Sequence, residues 1–588
     1  MPPLPTTDRY EATFVVSLDP SKGDFLSLQD ALSALPPSGG KIFVKAGVYP
    51  PILNTIKIPL SNVHIQGEGM GITVLIADAT MTGNTPALEA FNASAGTKRA
   101  LVADTARGDT QLRTSPADAA SFAVGDYVLL YSDKPVDSEQ PLKHAGEVKQ
   151  VTAIDPTTGI ITVDDQIFDS YTLADAAHVV RIAMLRNITV SDLSITTRAA
   201  SSALSVGFTH FRFIDNLQIE RVEVHDAYNS GIHLQSVLNS EISGCYIHHI
   251  RDVTPAHNER YGIVVGNASQ NVTVSGCRFS HTRHAVTTGG SSGTNNNGVQ
   301  RNIVVAHCTS MLTDTAHFDT HEPAENVTFT GCVARGGVPD PANPVAVGFQ
   351  MRCRNGSIIG CSVLQAIGKG IMLFGAVSSG AVISGNMIAN VQAVGNTQGI
   401  GIFLASPPPP GVVGTSNHAI VGNVIKNCDG PAISNGGSNH DVVITGNVIE
   451  HVNIVVPGAA IHLVNAARAL IIGNNIHPGG SGAVVAPADA VVVNNAGYNP
   501  VGAIARPWPA GGGDLTNSVA AGNAAPQSGV PYTVRQSPKT IVIDGGAVSR
   551  ISLNGTNTGL TAGGFKLGVD ETIAITYSVA PATAVTAE

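Results

Sequence analysis

Short runs of alternating apolar and polar residues, each closed by a small residue and then Cys or Asn, recur from about residue 187 onward. The phrase reads Ile242-Ser243-Gly244-Cys245, Val274-Ser275-Gly276-Cys277, Val305-Ala306-His307-Cys308, Phe329-Thr330-Gly331-Cys332 and Ile359-Gly360-Cys361. Asn then replaces Cys in Gly385-Asn386, Gly422-Asn423, Gly446-Asn447 and Gly473-Asn474, and successive phrases lie 24 to 37 residues apart. Strands this short cannot bury an apolar side alone. Coils stacked about 4.8 Å apart can, because each strand then pairs with the one below. The pattern predicts a parallel β-solenoid in which Cys serves as a small buried hydrophobe and Asn as a hydrogen-bonded ladder. The Val/Ile/Thr content, with Gly in every coil, excludes helical repeats.

Elsewhere the pattern changes. Over residues 25–35, Leu28, Ala31, Leu32 and Leu35 recur at helical spacing, predicting a short helix that caps the solenoid. Residues 95–180 read as hairpins, with Asp155-Pro156-Thr157-Thr158-Gly159 turning into Ile160-Ile161-Thr162-Val163. This β-rich insertion is a candidate side wall. After residue 495 the ladder stops, a Pro/Gly-rich stretch follows, and alternation resumes in strands such as Thr540–Ile543 and Ile573–Tyr577. The expected organisation is a cap with first coils (1–94), the insertion (95–180), the β-helix (181–495), and a linker with a C-terminal antiparallel β-sandwich (496–588). The fold class is all-β, a right-handed parallel β-helix.

Composition narrows the functions. Only 13% of residues are charged, the net charge is −10 and no Lys/Arg run occurs, which argues against nucleic acid as partner. No apolar run is long enough to enter a membrane. No signal peptide is evident, so an extracellular or virion-associated location implies export by another route. The seven Cys lack CxxC pairing, and neither HxH nor HExxH occurs. No cofactor is expected, Ca²⁺ being the one ion left open.

The strand before each phrase carries the candidate chemistry. Alternation puts Ile232, Ile263, Val286, Phe318, Phe349 and Ile371 inward. The outward columns are then His233, Val264, Thr287, Asp319, Gln350, Met372 and Gln235, Gly266, Gly289, His321, Arg352, Phe374. Asp319, His321 and Arg352 are expected to share one open, solvent-facing spot, with glycines leaving room for a ligand. Asp314 and Glu322 flank this strand, and His281, Arg283 and His284 enter the coil before it. Eleven of the 19 His lie between positions 210 and 321, and imidazole is the usual proton carrier near neutral pH. The catalytic candidates are Asp319, His321, Asp314, Glu322, His284 and Arg352. Those for substrate binding are His233, Arg283, Gln350, Tyr261, Arg260 and His281.

The opening FLSLQDALSALPPSGGKIFVKAGVY resembles the entry segment of pectate-lyase-like β-helix proteins, including polysaccharide-degrading phage tailspikes. The segment GGAVSRISLNGTNTGLTAGGFKLGVDETIAITYSVAP is similar to a C-terminal β-module of phage tail proteins. The resemblance implies a depolymerase acting within a carbohydrate polymer, as glycoside hydrolase or polysaccharide lyase, and a homotrimer. Phe318-Asp319-Thr320-His321-Glu322 is also similar to the Asp-x-His-Glu strand of mannuronan C5-epimerases, which implies active-site roles for Asp319 and His321. That family's Tyr is Ala316 here, and its Pro is Thr320. The alternatives to a depolymerase are therefore a polyuronate C5-epimerase or a non-catalytic glycan-binding tail or adhesin protein.

Overall fold

A computed structural model describes residues 13–78, 81, 85–92, 96–136, 142–197, 208–251, 259–289, 296–321, 324–338, 345–375, 378–405, 416–464, 466–477, 484–487, 489–493, 495, 513–515, 528–529, 531–534, 539–544, 547–567, 571–579 and 582–587. Two units divide the chain, Met1–Val382 and Ile383–Glu588.

In the first unit the repeats form a right-handed parallel β-helix. Rungs pair in register, and one inward column runs Ile219, Ile242, Val274, Val305, Phe329, Ile358. A second row stacks Thr209–Arg212, Ser230–Gln235, Tyr261–Gly266, His284–Thr288, Ala316–Asp319, Val347–Met351 and Lys369–Leu373. The repeated phrase has a conformational cause. Gly244, Gly276, Gly331 and Gly360 have φ near +60°, a region that costs other residues energy. His307 occupies the same slot at φ 54°. Each Cys then turns into the core, all seven are buried, and the thiol of Cys245 donates to the Ile219 carbonyl at 3.6 Å. A second ladder lies outside the phrase, on left-handed Asn residues: Asn302 donates to Asn271 at 3.0 Å and Asn326 to Asn302 at 3.1 Å.

The N-terminal helix spans Leu28–Ala34, with Ser27 as N-cap accepting from the Asp30 amide. It buries Leu28, Ala31 and Leu32 against the strands Phe14–Val16, Gly40–Val44 and Ile56–Ile58. The insertion is a largely antiparallel sheet built on Tyr127–Pro135, Lys143–Asp155, Ile160–Val163 and His178–Ile182. Its own core includes Leu101, Val128, Leu130, Ile161 and Tyr171. Its other side, with Tyr127, Tyr131 and Val148, packs on Leu238 and Ala268 of the helix. Arg301 of the helix pairs with Asp169 of the insertion at 2.5 Å and with Glu325 at 3.2 Å.

In the second unit the coils continue on Asn. Asn386 donates to Asn423 at 2.9 Å, Asn423 to Asn447 at 2.9 Å, Asn447 to Asn474 at 2.8 Å, and Asn474 to Asn495 at 2.8 Å. At the C-terminus, five-stranded and three-stranded sheets share a core that includes Tyr532, Ile541, Ile551, Phe565 and Ile573. Of the expected Pro/Gly-rich linker, Pro507, Pro509, Gly511 and Gly512 lie outside the described residues. Among the described residues no helix is long and apolar enough to cross a membrane.

Candidate active site

Strand pairing puts His233 beside Val264, Val264 beside Thr287, and Asp319 beside Gln350. This is the outward column that alternation gives. On it Asp319 is the hub. His321 Nε2 lies 2.9 Å from Asp319 Oδ2, and Arg352 Nη2 lies 3.2 and 3.1 Å from the two carboxylate oxygens. Thr287 donates to Oδ2 at 3.2 Å. Arg352 is fixed further by its backbone amide and Nε, which donate to Thr320 Oγ1 and O at 2.6 and 2.9 Å.

The expectation of an exposed carboxylate is corrected here. The Asp319 side chain is 0% exposed, against 16% for His321 and 13% for Arg352. His321, Arg352, Thr287 and His284 surround the carboxylate, and of these the imidazole of His321 and the guanidinium of Arg352 keep partial exposure. Burial opposes its charge, but Arg352, His321 and His284 outweigh that and hold the carboxyl well below the usual carboxylate range. Burial also lowers the His321 pKa, leaving the ring neutral. With Nε2–H donating to Asp319, its Nδ1 lone pair is left over, and Nδ1 makes no hydrogen bond among the described residues.

His284 joins this group although alternation pairs it with inward Val286. It is the first residue of its strand, entering from a turn. Its Nδ1 donates to the Ala316 carbonyl at 2.8 Å, which leaves Nε2 facing Asp319 Oδ2 at 3.6 Å, buried and without a hydrogen-bond partner. Burial pushes its pKa down to about 3. Tyr261 stacks on it with centroids 5.3 Å apart and receives a hydrogen bond from Arg283 at 3.2 Å. His284, Asp319 and His321 each offer a ligand atom within 4.8 Å of the others, so these three could hold a metal ion.

The remaining candidates separate. Gln350 borders Asp319, whereas His233 lies three coils away. Asp314, expected among the catalytic residues, does not join the hub: its carboxylate is tied to Arg260. His281 is likewise not gathered in. It stacks on His249 at 4.3 Å, in a group at the preceding corner that includes His248 and His225, because its left-handed φ of 53° ends one strand before the site strand begins. Glu322 and His257 lie outside the described residues.

One contributor was not singled out from the sequence. Lys143 of the insertion pairs through its backbone with Asn296, and its charge is felt by His321. The insertion contacts three successive coils, through Val299, Glu325 and Arg354. Contacts between residues this distant in sequence leave no local signal.

Comparison with known proteins places this geometry. A family model described as Gp49, pectin lyase-like, matches residues 227–495. Over those residues the helix is similar to pectin-lyase-like proteins. A second model, the Rider domain of a K1 capsule-specific polysaccharide lyase, matches residues 97–184, the inserted sheet. The capsule K1-specific depolymerase of Klebsiella phage K64-1 is 28% identical over 243 residues, 40% of this chain and 26% of that protein. The match thus spans about a quarter of that relative's length. The tailspike gp61 of Pseudomonas phage phi297 aligns with a TM-score of 0.51 at 13% identity, covering 95% of this chain and 90% of that one. The tailspike gp49 of Pseudomonas phage LKA1 aligns with a TM-score of 0.49 at 15% identity, covering 95% and 92%. At such identity the first of these speaks to the fold alone.

Proposed function

We propose that the protein is a polysaccharide lyase that cleaves a uronate-bearing bacterial capsular polysaccharide within the chain, as part of a virion-associated, trimeric tailspike. The observation that carries this reading is the pair offered to the groove: a neutral imidazole and a guanidinium, both held by an enclosed carboxylate. Hydrolysis calls for two carboxyl groups at the scissile bond, and Asp319 is enclosed while Asp314 is tied to Arg260. The relative specific for capsule K1 and the lyase-derived inserted sheet support the same reading.

In the proposed reaction Arg352 binds the uronate carboxylate and neutralises it, which acidifies the C5 proton. His321 Nδ1 takes that proton, the electron pair forms the C4=C5 double bond, and the C4–O4 bond breaks. The proton returns to O4, giving a new reducing end and an unsaturated uronate. Asp319 and His284 act as positioning residues beneath this pair. Arg352 supplies by a fixed side chain the charge that a divalent cation could otherwise provide, so the reaction needs no metal.

The test is digestion of Klebsiella K1 capsular polysaccharide followed by ultraviolet absorbance of the unsaturated product. Wild-type protein should generate it and His321→Ala should not. Reducing ends without that absorbance would mean hydrolysis. A changed uronate ratio with no shortening would mean epimerisation.

A further inference from the structure

We propose that a second polar cluster on the same face, formed by His210, Arg212, His233 and Gln235, is a subsite for a neutral, hydroxyl-rich sugar residue of the same polymer. The inference rests on the reading of this face as a glycan groove, but not on which bond is cut.

Strand register builds the cluster. His233 stands beside His210, which stands beside Glu89, and Gln235 stands beside Arg212. The two imidazoles approach with centroids 4.9 Å apart. Gln235 reaches His233 Nε2 at 3.3 Å, while Arg212 pairs with Glu89 at 2.5 Å and lies 3.6 Å over the Phe91 ring.

Three polar atoms here are buried without a hydrogen-bond partner: His210 Nε2, His233 Nδ1 and Arg212 Nε. His210 is 4% exposed and His233 7%. An unpaired buried polar group is costly, and three together are the mark of a site that a ligand completes. Arg212 and Gln235 remain partly exposed, which gives the cluster an opening.

The chemistry selects the ligand. Burial holds the His210 pKa at about 2 and the His233 pKa at about 4, so both rings are neutral. Each then offers one N–H and one lone pair, the complement of a hydroxyl, which both donates and accepts. Glu89 offsets the charge of Arg212, so an anionic group gains little here.

The two ends lie on one row of stacked strands. From Gln235 the outer column runs through Gly266 and Gly289 to His321. A Cβ at Gly266 would stand 3.6 Å from His233 Nε2, in van der Waals contact with the ring. Three coils at about 4.8 Å separate His233 from Asp319 by roughly 14 Å, so one extended chain can touch both.

The experiment compares wild type with His233→Phe and His210→Gln in the full chain, on intact Klebsiella K1 polysaccharide and on fragments too short to bridge the two ends. The expected result on the polymer is a KM raised about tenfold, the loss of one or two hydrogen bonds, with kcat within about twofold of wild type. On short fragments the variants should match wild type, and their melting temperatures should stay close to it. An unchanged KM on the polymer, or an equal loss on short fragments, overturns the subsite. Retention in gels containing the K1 polysaccharide reads binding whatever the reaction. Weaker retention of His233→Phe by a protein that yields no unsaturated product would keep the subsite and reject the lyase reading. Wild type that is not retained overturns the subsite.

Discussion

Asp319 carries no contact to the groove, yet the site depends on its charge. Asp319→Asn keeps the shape and removes the charge that holds His321 and Arg352. The expected outcome is a kcat loss of about 10²–10³-fold, as for removal of one charge-stabilising group, with circular dichroism unchanged. Arg352→Lys keeps the charge but loses the planar group whose Nη2 meets both carboxylate oxygens while its Nε donates to the Thr320 carbonyl. A similar loss is expected, visible in initial rates of absorbance increase. Because burial lowers the His321 pKa, the acid limb of the kcat/KM profile should lie below pH 6.5, with activity rising as the ring loses its proton. Dialysis against EDTA should leave the rate unchanged; a loss restored by one divalent cation would instead put a metal among His284, Asp319 and His321. Alternation along the strand made Asp319, His321 and Arg352 legible as one column. It could not show that the carboxylate is enclosed, because the lids come from Thr287 and Arg352, one coil to either side. Nor could it show that His284 turns toward Asp319, since a strand's first residue need not follow the strand's alternation.

The elements around the site are held by two kinds of buried polarity. In the inserted sheet Lys149 pairs with Glu147 at 3.1 Å, both almost fully buried, and Arg301 ties the sheet to the helix. Replacing Arg301 by Met strands the Asp169 carboxylate in the interface and leaves Glu325 with Arg107 alone. Breaking such a pair costs about 3–5 kcal/mol, so the urea midpoint should fall; an unchanged midpoint would show that the pair is not structural. In the Asn ladder, Asn447→Ala removes the bonds its Nδ2 donates to Asn474 and to the Ile420 carbonyl and those its Oδ1 accepts from the amide and side chain of Asn423, and a loss of about 1–3 kcal/mol is expected in the same assay. The Cys-then-Asn phrase exposed the ladder in the sequence because its left-handed turn demands Gly at nearly every repeat. The docking of the insertion was not legible. Its contacts, such as Tyr127 with Asp215 at 2.5 Å, join residues with no shared pattern.

Across the whole molecule, buried imidazoles set the response to acid. His284 is held at about 3, and His233 and His317 at about 4, by burial, against an ordinary value of 6.5. Below pH 6.5 the unfolded chain therefore binds protons that the folded chain refuses, and stability falls as pH drops. Asp319 adds to the same trend once pH passes below the ordinary 3.8 of its unfolded carboxyl. Thermal melting should show a progressive fall from about pH 6.5 downward, and a flat profile would mean that these rings accept protons in place. The solenoid itself was readable because each coil repeats one local solution. The division of labour along its face was not, since it depends on which coils bring their few charged residues together.

The most direct test of the central claim is mass spectrometry of fragments made in ¹⁸O-labelled water. Elimination breaks the C4–O4 bond, so the account predicts no label at the new reducing end and fragments one water lighter than hydrolysis products. Label at the anomeric carbon of every new end, with no unsaturated sugar, would contradict it.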